Sequence, residues 1–235
     1  MDKFIKDKIK VTCDNLYNDF TQTLLKVPSL KYISTDYKNP QEIPVVSENW
    51  DILKRGDGLN ENDKHFWFHT KITTPPCEEN KEYAIKITTA SDSIAGDLKP
   101  QGLLYLNGEI AQGADINHTT VLLEGDKEYD ILLYFYTGMM DCNVEPFMSL
   151  ESYEIRVKKL YYDLKVPYDA AMCLKEDDYS HIKIIKHLEQ ACNLIDFREI
   201  GSKEYYDSIQ KADEYIIKEF YEKECGNCDA VVNST

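Results

Sequence analysis

Gln101-Gly102-Leu103-Leu104-Tyr105-Leu106-Asn107-Gly108-Glu109-Ile110 is the stretch that decides the fold. Leu104 and Leu106 recur at a period of two, and Asn107-Gly108 follows at once. Both of these residues tolerate positive φ, which a two-residue hairpin turn demands. The chain is therefore read as folding back on itself here into an antiparallel sheet.

The same period extends in both directions. Upstream, Phe66, Phe68 and Thr70 alternate with His65, Trp67 and His69, and Tyr83, Ile85 and Ile87 repeat the pattern. Downstream, residues 119–123, 129–136 and 147–157 read as further strands, for about seven or eight in all. Pro75-Pro76, Asp97, Glu124-Gly125-Asp126 and Thr137-Gly138 separate them as turns. This spacing predicts an antiparallel, jelly-roll-like β-sandwich. The face carrying His65, Trp67 and His69 is expected to be a polar outer face interrupted by one tryptophan.

Helical periodicity flanks the strands. Ile5, Ile9, Leu16 and Phe20 share a face of an N-terminal helix, which Pro28 is expected to end. Residues 27–49, rich in Pro, Asn, Ser and Asp, read as an extended loop. Three later helices are expected. The first is 160–174. The second is 181–195, with Ile182, Ile185, Leu188 or Glu189, Cys192 and Ile195 near one face. The third is 202–223, with Ser202 as N-cap and Gly226 just past its end. The expected class is β-rich with α: residues 1–30 an N-terminal helix, 31–158 a β-sandwich, 159–225 a helical segment, and 226–235 a truncated tail.

The charge narrows the partners. Twenty-seven Lys and Arg against 42 Asp and Glu leave a formal net charge of −15, with no basic patch. Such a surface repels phosphate backbones and anionic lipid, so neither nucleic acid nor a membrane is an expected partner. Neutral sugars remain compatible. No stretch approaches the roughly 20 apolar residues of a membrane span. The N-terminus has no secretory pattern, and seven Cys show no disulfide framework, so a cytoplasmic location is expected.

Residues 100–123 continue the hairpin into Gln112-Gly113-Ala114-Asp115-Ile116-Asn117-His118. This segment resembles the N-terminal, non-catalytic domain of cytosolic and bacterial α-mannosidases of glycoside hydrolase family 38. Those proteins carry a similar strand, an Asn/Asp-Gly hairpin and a Gln-Gly-x-Asp-x-Asn-His loop. Trp50 to Gly58 followed by Trp67-Phe68, and Leu160-Tyr161-Tyr162-Asp163-Leu164, add to the likeness, which covers roughly residues 45–225. Ala114 stands where the family usually has a larger apolar residue, and His69 where it often has Arg.

The resemblance implies a retaining α-mannosidase whose zinc and Asp nucleophile belong to a later domain opening with His-x-His-x-Asp. The five His residues of this chain never form that signature. The chain by itself is therefore expected not to be an enzyme and to hold no cofactor. Its expected role is an accessory N-terminal domain that packs against the catalytic domain and supports assembly. The alternative is a carbohydrate-binding module for mannosides. Expected partners are the catalytic domain, a second copy, or mannosides.

Gln112, Gly113, Asp115, Asn117, His118 and Trp67 are the candidates for domain or sugar contact. In the loop, Gly113 is read as permitting an unusual φ, and Asp115 and Asn117 as bonding nearby backbone N–H groups. His65 and His69, four residues apart on a strand, lie roughly 13 Å from each other, too far to share one zinc. Cys225-Gly226-Asn227-Cys228 falls at a helix C-terminus, where the dipole opposes a thiolate. Among 42 acidic residues, no spacing singles out a catalytic carboxylate pair.

Overall fold

The computed structural model describes residues 3–36, 42–88, 101–115, 117–138 and 142–224. Helix α1 (Lys3–Phe20) leads into β1 (Thr21–Lys26) and β2 (Ser29–Thr35). Next come β3 (Asp51–Lys54), β4 (Leu59–Glu61), β5 (His65–Thr73), β6 (Lys81–Thr88), β7 (Gln101–Leu106) and β8 (Glu109–Ala114). The strands finish with β9 (Thr120–Leu123), β10 (Glu128–Tyr136), β11 (Cys142–Val144) and β12 (Phe147–Glu154). Helices α2 (Ile155–Met172), α3 (Tyr179–Leu194) and α4 (Lys203–Tyr215) follow, and a π-helical segment Ile216–Glu222 extends α4.

Two antiparallel sheets make the sandwich. One has the order β1-β12-β6-β9, the other β3-β2-β5-β10-β7-β8, and β4 pairs with β11 separately. Their shared core interleaves Phe66, Phe68, Leu133 and Phe135 from the larger sheet with Ile85, Ile87, Met148 and Leu150 from the smaller. Side chains alternate across each strand, so one face of each sheet supplies this core.

The hairpin at Asn107-Gly108 forms as read. Asn107 has φ 52° and Gly108 φ 86°, the two positive values of a type I′ turn. The turn is also tied to β10, the strand beside β7 in the sheet: Asn107 N–H donates to the Asp130 carbonyl at 2.8 Å, and its Oδ1 accepts from Asp130 N–H at 2.9 Å. Gly102 answers a close approach. A Cβ there would lie 2.0 Å from the Tyr134 carbonyl oxygen and 2.4 Å from the Phe135 ring.

The polar outer face expected of β5 is overturned. His65 and Trp67 are buried, and a second cluster forms on that side from Trp50, Trp67, Tyr105, Leu132 and Tyr134. Ile43 and Val46, from a segment without regular structure, pack onto it. The middle of the larger sheet, across β5, β10 and β7, is thus covered on its second face as well, which strand periodicity alone does not reveal.

Other boundaries differ too. The first helix ends at Phe20, not at Pro28, and Leu24 lies in β1. Phe20 meets the rings of Tyr17, Tyr153 and Tyr161 at 5.2–5.8 Å, and the Thr-rich stretch after it pairs with β12 instead of continuing the helix. Strand β2 occupies part of the expected loop, with Leu30 and Tyr32 facing the main core and Ile33 the second cluster. Its lysine, serine and tyrosine content hid that alternation. Helix α2 begins at Ile155, directly after β12, inside the stretch assigned to the sandwich.

The described chain divides into two compact units, residues 23–152 and the combination of 1–22 with 153–235. In the second, α1 packs against α2 and α3, and α4 against both of these. Ile9, Leu16 and Phe20 of α1 are buried as their spacing predicts. On α3 the buried face is His181, Ile185, Leu188 and Cys192, whereas Ile182 is exposed. His181 belongs inside because its Nδ1 donates to the Ala171 carbonyl at 2.8 Å, satisfying the end of α2. Ser202 caps α4, accepting from Tyr205 N–H at 3.1 Å. Pro167, inside α2, has no N–H to offer the Asp163 carbonyl one turn back; the Tyr221 hydroxyl donates to that carbonyl at 3.2 Å. Gly226, the Cys225–Cys228 motif and Asp97 lie outside the described residues. No helix among the described residues is long and apolar enough to cross a membrane.

Candidate functional site

Among the described residues strand β8 is one of the two edges of the larger sheet, and the candidate loop leaves its end. Ala114, the last strand residue, is buried opposite Gly102, which anchors the exit. A register shift at Leu104/Tyr105 bends the pairing of β7 with β8 just upstream. Asp115 then turns the chain with its own side chain. Its Oδ1 accepts from Asn117 N–H at 2.7 Å and from His118 N–H at 2.9 Å. His118 Nδ1 lies 3.0 Å from each carboxylate oxygen. Gln112 reaches back from the strand, its Nε2 donating to the His118 carbonyl at 3.4 Å.

These bonds hold the Asp115 carboxyl below its usual range. The Asn117 N–H contributes most, then the His118 side chain, then the His118 N–H. Asp115 is thus an anion clamped by three donors. Asn117 and His118 are exposed beside it, His118 with 62% of its side chain accessible. Ile116 lies outside the described residues.

Gly113 does not play the role its identity suggests. Its φ is not positive, and a Cβ would meet only the Gly102 carbonyl oxygen, at 3.9 Å. It is an ordinary strand position opposite Leu103.

Trp67 stands apart from the loop. The cross-strand row runs Trp67, Tyr134, Leu103, Gly113, so the tryptophan shares a sheet face with Gly113 three strands away, roughly 14 Å. It is 4% exposed, packed on Tyr134 at 5.0 Å and Tyr105 at 5.4 Å. A ring covered in this way is a packing element and offers no stacking platform. The structure therefore brings together Gln112, Asp115, Asn117 and His118, and leaves Trp67 out.

The two histidines of β5 are occupied separately. His65 Nδ1 is 2.6 Å from the Tyr134 hydroxyl, and its ring stacks on Tyr136 at 4.7 Å. Asp130 Oδ1 lies 3.3 Å from His69 Nε2, outside hydrogen-bonding geometry. Among the described residues, no group of three or more His, Cys, Asp or Glu could hold a metal ion.

Sequence spacing missed two carboxylate arrangements. Glu151, 3% exposed on β12, accepts from Thr23 Oγ1 at 2.9 Å and Ser149 Oγ at 2.5 Å. Asp163 on α2 and Asp213 on α4 share the ammonium of Lys159, which is 2.9 Å from Asp163. Burial, first, pushes the Asp163 carboxyl upward; Lys159 opposes this and Asp213 adds to it. Both are internal clamps: the first is enclosed, and a lysine plugs the second. Only a tertiary contact pairs residues this far apart in the chain. Two open depressions, of about 320 and 250 Å³, are lined by Cys77, Tyr83 and Leu122 and by Asp196, Arg198 and Tyr205; neither includes a residue of the loop.

No protein-family model and no curated protein matches the chain. Among solved structures, it is similar to a β-glucuronidase from an uncultured Clostridium sp. at 10% identity and TM-score 0.40, over 57% of this chain and 29% of that one. It is similar to Bacteroides uniformis β-glucuronidase 2 at 13% identity and TM-score 0.40, over 56% of this chain and 18% of that one. A Ruminococcus gnavus β-glucuronidase matches at 9% identity and TM-score 0.37, over 57% of this chain and 29% of that one. The matched region spans less than a third of each of these enzymes.

Proposed function

We propose that this chain is a non-catalytic accessory part of an α-mannosidase-type glycoside hydrolase, acting in the cytoplasm and presenting the 112–118 loop to its catalytic domain. The observation that carries the reading is the clamped loop. Asp115 ties the backbone of Asn117 and His118 and the His118 ring together at the end of an edge strand, on the stretch whose sequence resembles family 38. A preorganised polar loop on a rigid scaffold is suited to docking, since its ordering cost is met before contact. Catalytic zinc, on this reading, belongs to the partner domain.

The test is direct. The pure chain should not hydrolyse an aryl α-mannoside, with or without added zinc. Measurable turnover that follows the chain through purification would overturn the reading.

Direct mannoside binding is a second reading. It is favoured by Asn117 and His118, both exposed, with the His118 imidazole held on the Asp115 carboxylate. Calorimetric titration with methyl α-mannoside decides it: a saturable signal abolished by Asp115→Ala supports binding, and a flat trace at millimolar ligand counts against it.

A further inference from the structure

We infer that Asp115 is a positioning residue that locks the His118 imidazole in its Nδ1–H tautomer, so that Nε2 faces outward as a hydrogen-bond acceptor for a hydroxyl of a neutral saccharide. This rests on the mannoside-binding reading above and deepens it by naming the acceptor atom.

The tautomer follows from donor and acceptor counting. Asp115 is held in its anionic form, and an ionised carboxylate can only accept. His118 Nδ1 is 3.0 Å from both of its oxygens, so the proton must sit on Nδ1. A neutral imidazole carries one ring proton, which leaves the lone pair on Nε2. The backbone beneath the ring is held as well, the same carboxylate accepting from the His118 N–H at 2.9 Å and Gln112 donating to its carbonyl, so the ring is kept in place by its own two Nδ1 contacts on a fixed Cα.

The imidazole is also the part of the loop that self-capping leaves unexplained. The turn needs the Asp115 side chain and two backbone N–H groups, and any residue at 118 other than proline would provide its share. Ordering an exposed side chain costs conformational entropy, and one exposed hydrogen bond returns little. The chemistry of the outward face selects the ligand. A lone pair backed by a carboxylate, on a chain of net charge −15, disfavours anions and suits a neutral O–H donor. Asn117, the exposed residue just before it in the chain, carries both a donor and an acceptor, the mixture that a sugar hydroxyl pair requires.

The experiment is two-bond 1H–15N correlation on the uniformly 15N-labelled full chain at about pH 8, where an ordinary imidazole is neutral. The His118 signals are assigned by their loss in His118→Ala. We expect the Nδ1–H pattern in the wild type and a shift towards Nε2–H in Asp115→Asn, whose Oδ1 still accepts the two backbone N–H groups. Methyl α-mannoside should then move the wild-type Nε2 resonance saturably, with affinity about fivefold weaker in Asp115→Asn, the equivalent of one hydrogen bond. An Nε2–H pattern in the wild type, or no change in Asp115→Asn, overturns the tautomer lock. An Nδ1–H pattern whose Nε2 ignores millimolar mannoside overturns the acceptor role; a mannoside response elsewhere on the chain would at the same time leave mannoside binding itself standing.

Discussion

Two side chains show how a residue's type can mislead about its role. Trp67 looks like a sugar platform by type, yet it is enclosed by Trp50, Tyr105, Leu132 and Tyr134. Trp67→Ala should therefore act through stability, at a cost of about 3–5 kcal/mol in denaturant unfolding, and not through ligand affinity. A variant as stable as the wild type would show that the ring is not packed as described. Asp163 is the reverse case, one of many acids in sequence and a buried partner in the fold. Its folded-state pKa is raised, mainly by burial and then by Asp213 against Lys159. A carboxyl that binds its proton more tightly when folded stabilises the fold as pH falls through its raised value towards the ordinary 3.9 or so, and loses that contribution as pH rises. Thermal unfolding of the wild type relative to Asp163→Asn should therefore shift in favour of the wild type between neutral and acid pH. A difference that does not vary with pH would contradict the assignment.

The β7–β8 hairpin is the element on which the candidate loop depends. Its turn was legible because Asn107-Gly108 is a local signal, and local φ preferences need no tertiary context. The reason for Gly102 was not legible, since only the pairing of β7 with β10 brings the Tyr134 carbonyl within 2.0 Å of a would-be Cβ. Gly102→Ala should destabilise the sandwich by about 3 kcal/mol or prevent folding, because the obstruction is backbone and cannot move aside. Gly113→Ala, whose Cβ would make only an ordinary contact at 3.9 Å, should be nearly silent; the pair of variants compared by chemical denaturation checks both. The π-helical segment after α4 is a further feature that period counting does not resolve, because 3.6- and 4.4-residue turns place Ile216 and Phe220 alike on the buried side.

For the whole molecule, composition speaks about the surface and contact geometry about the interior. With a net charge of −15, like charges oppose the compact state, and their repulsion weakens as the Debye length shortens from about 30 Å at 0.01 M salt to about 8 Å at 0.15 M. The melting temperature should therefore rise by a few degrees over that range of sodium chloride; a constant or falling value would mean that ion pairs such as Lys6–Glu176 outweigh the repulsion. The sequence by itself determined the class: helix, then strands, then helices, with a sharp hairpin at Asn107-Gly108 and a self-capping turn at Asp115. Each of these is written in periodicity or in side-chain chemistry within a few residues of its effect. Only the tertiary structure decided that His65 and Trp67 on the second face of β5 are buried, that α1 packs with helices more than 130 residues later, and that Trp67 lies apart from the loop. Those outcomes depend on which segments cover which faces, and the energy of burial is set by partners distant in the chain, which no local pattern records.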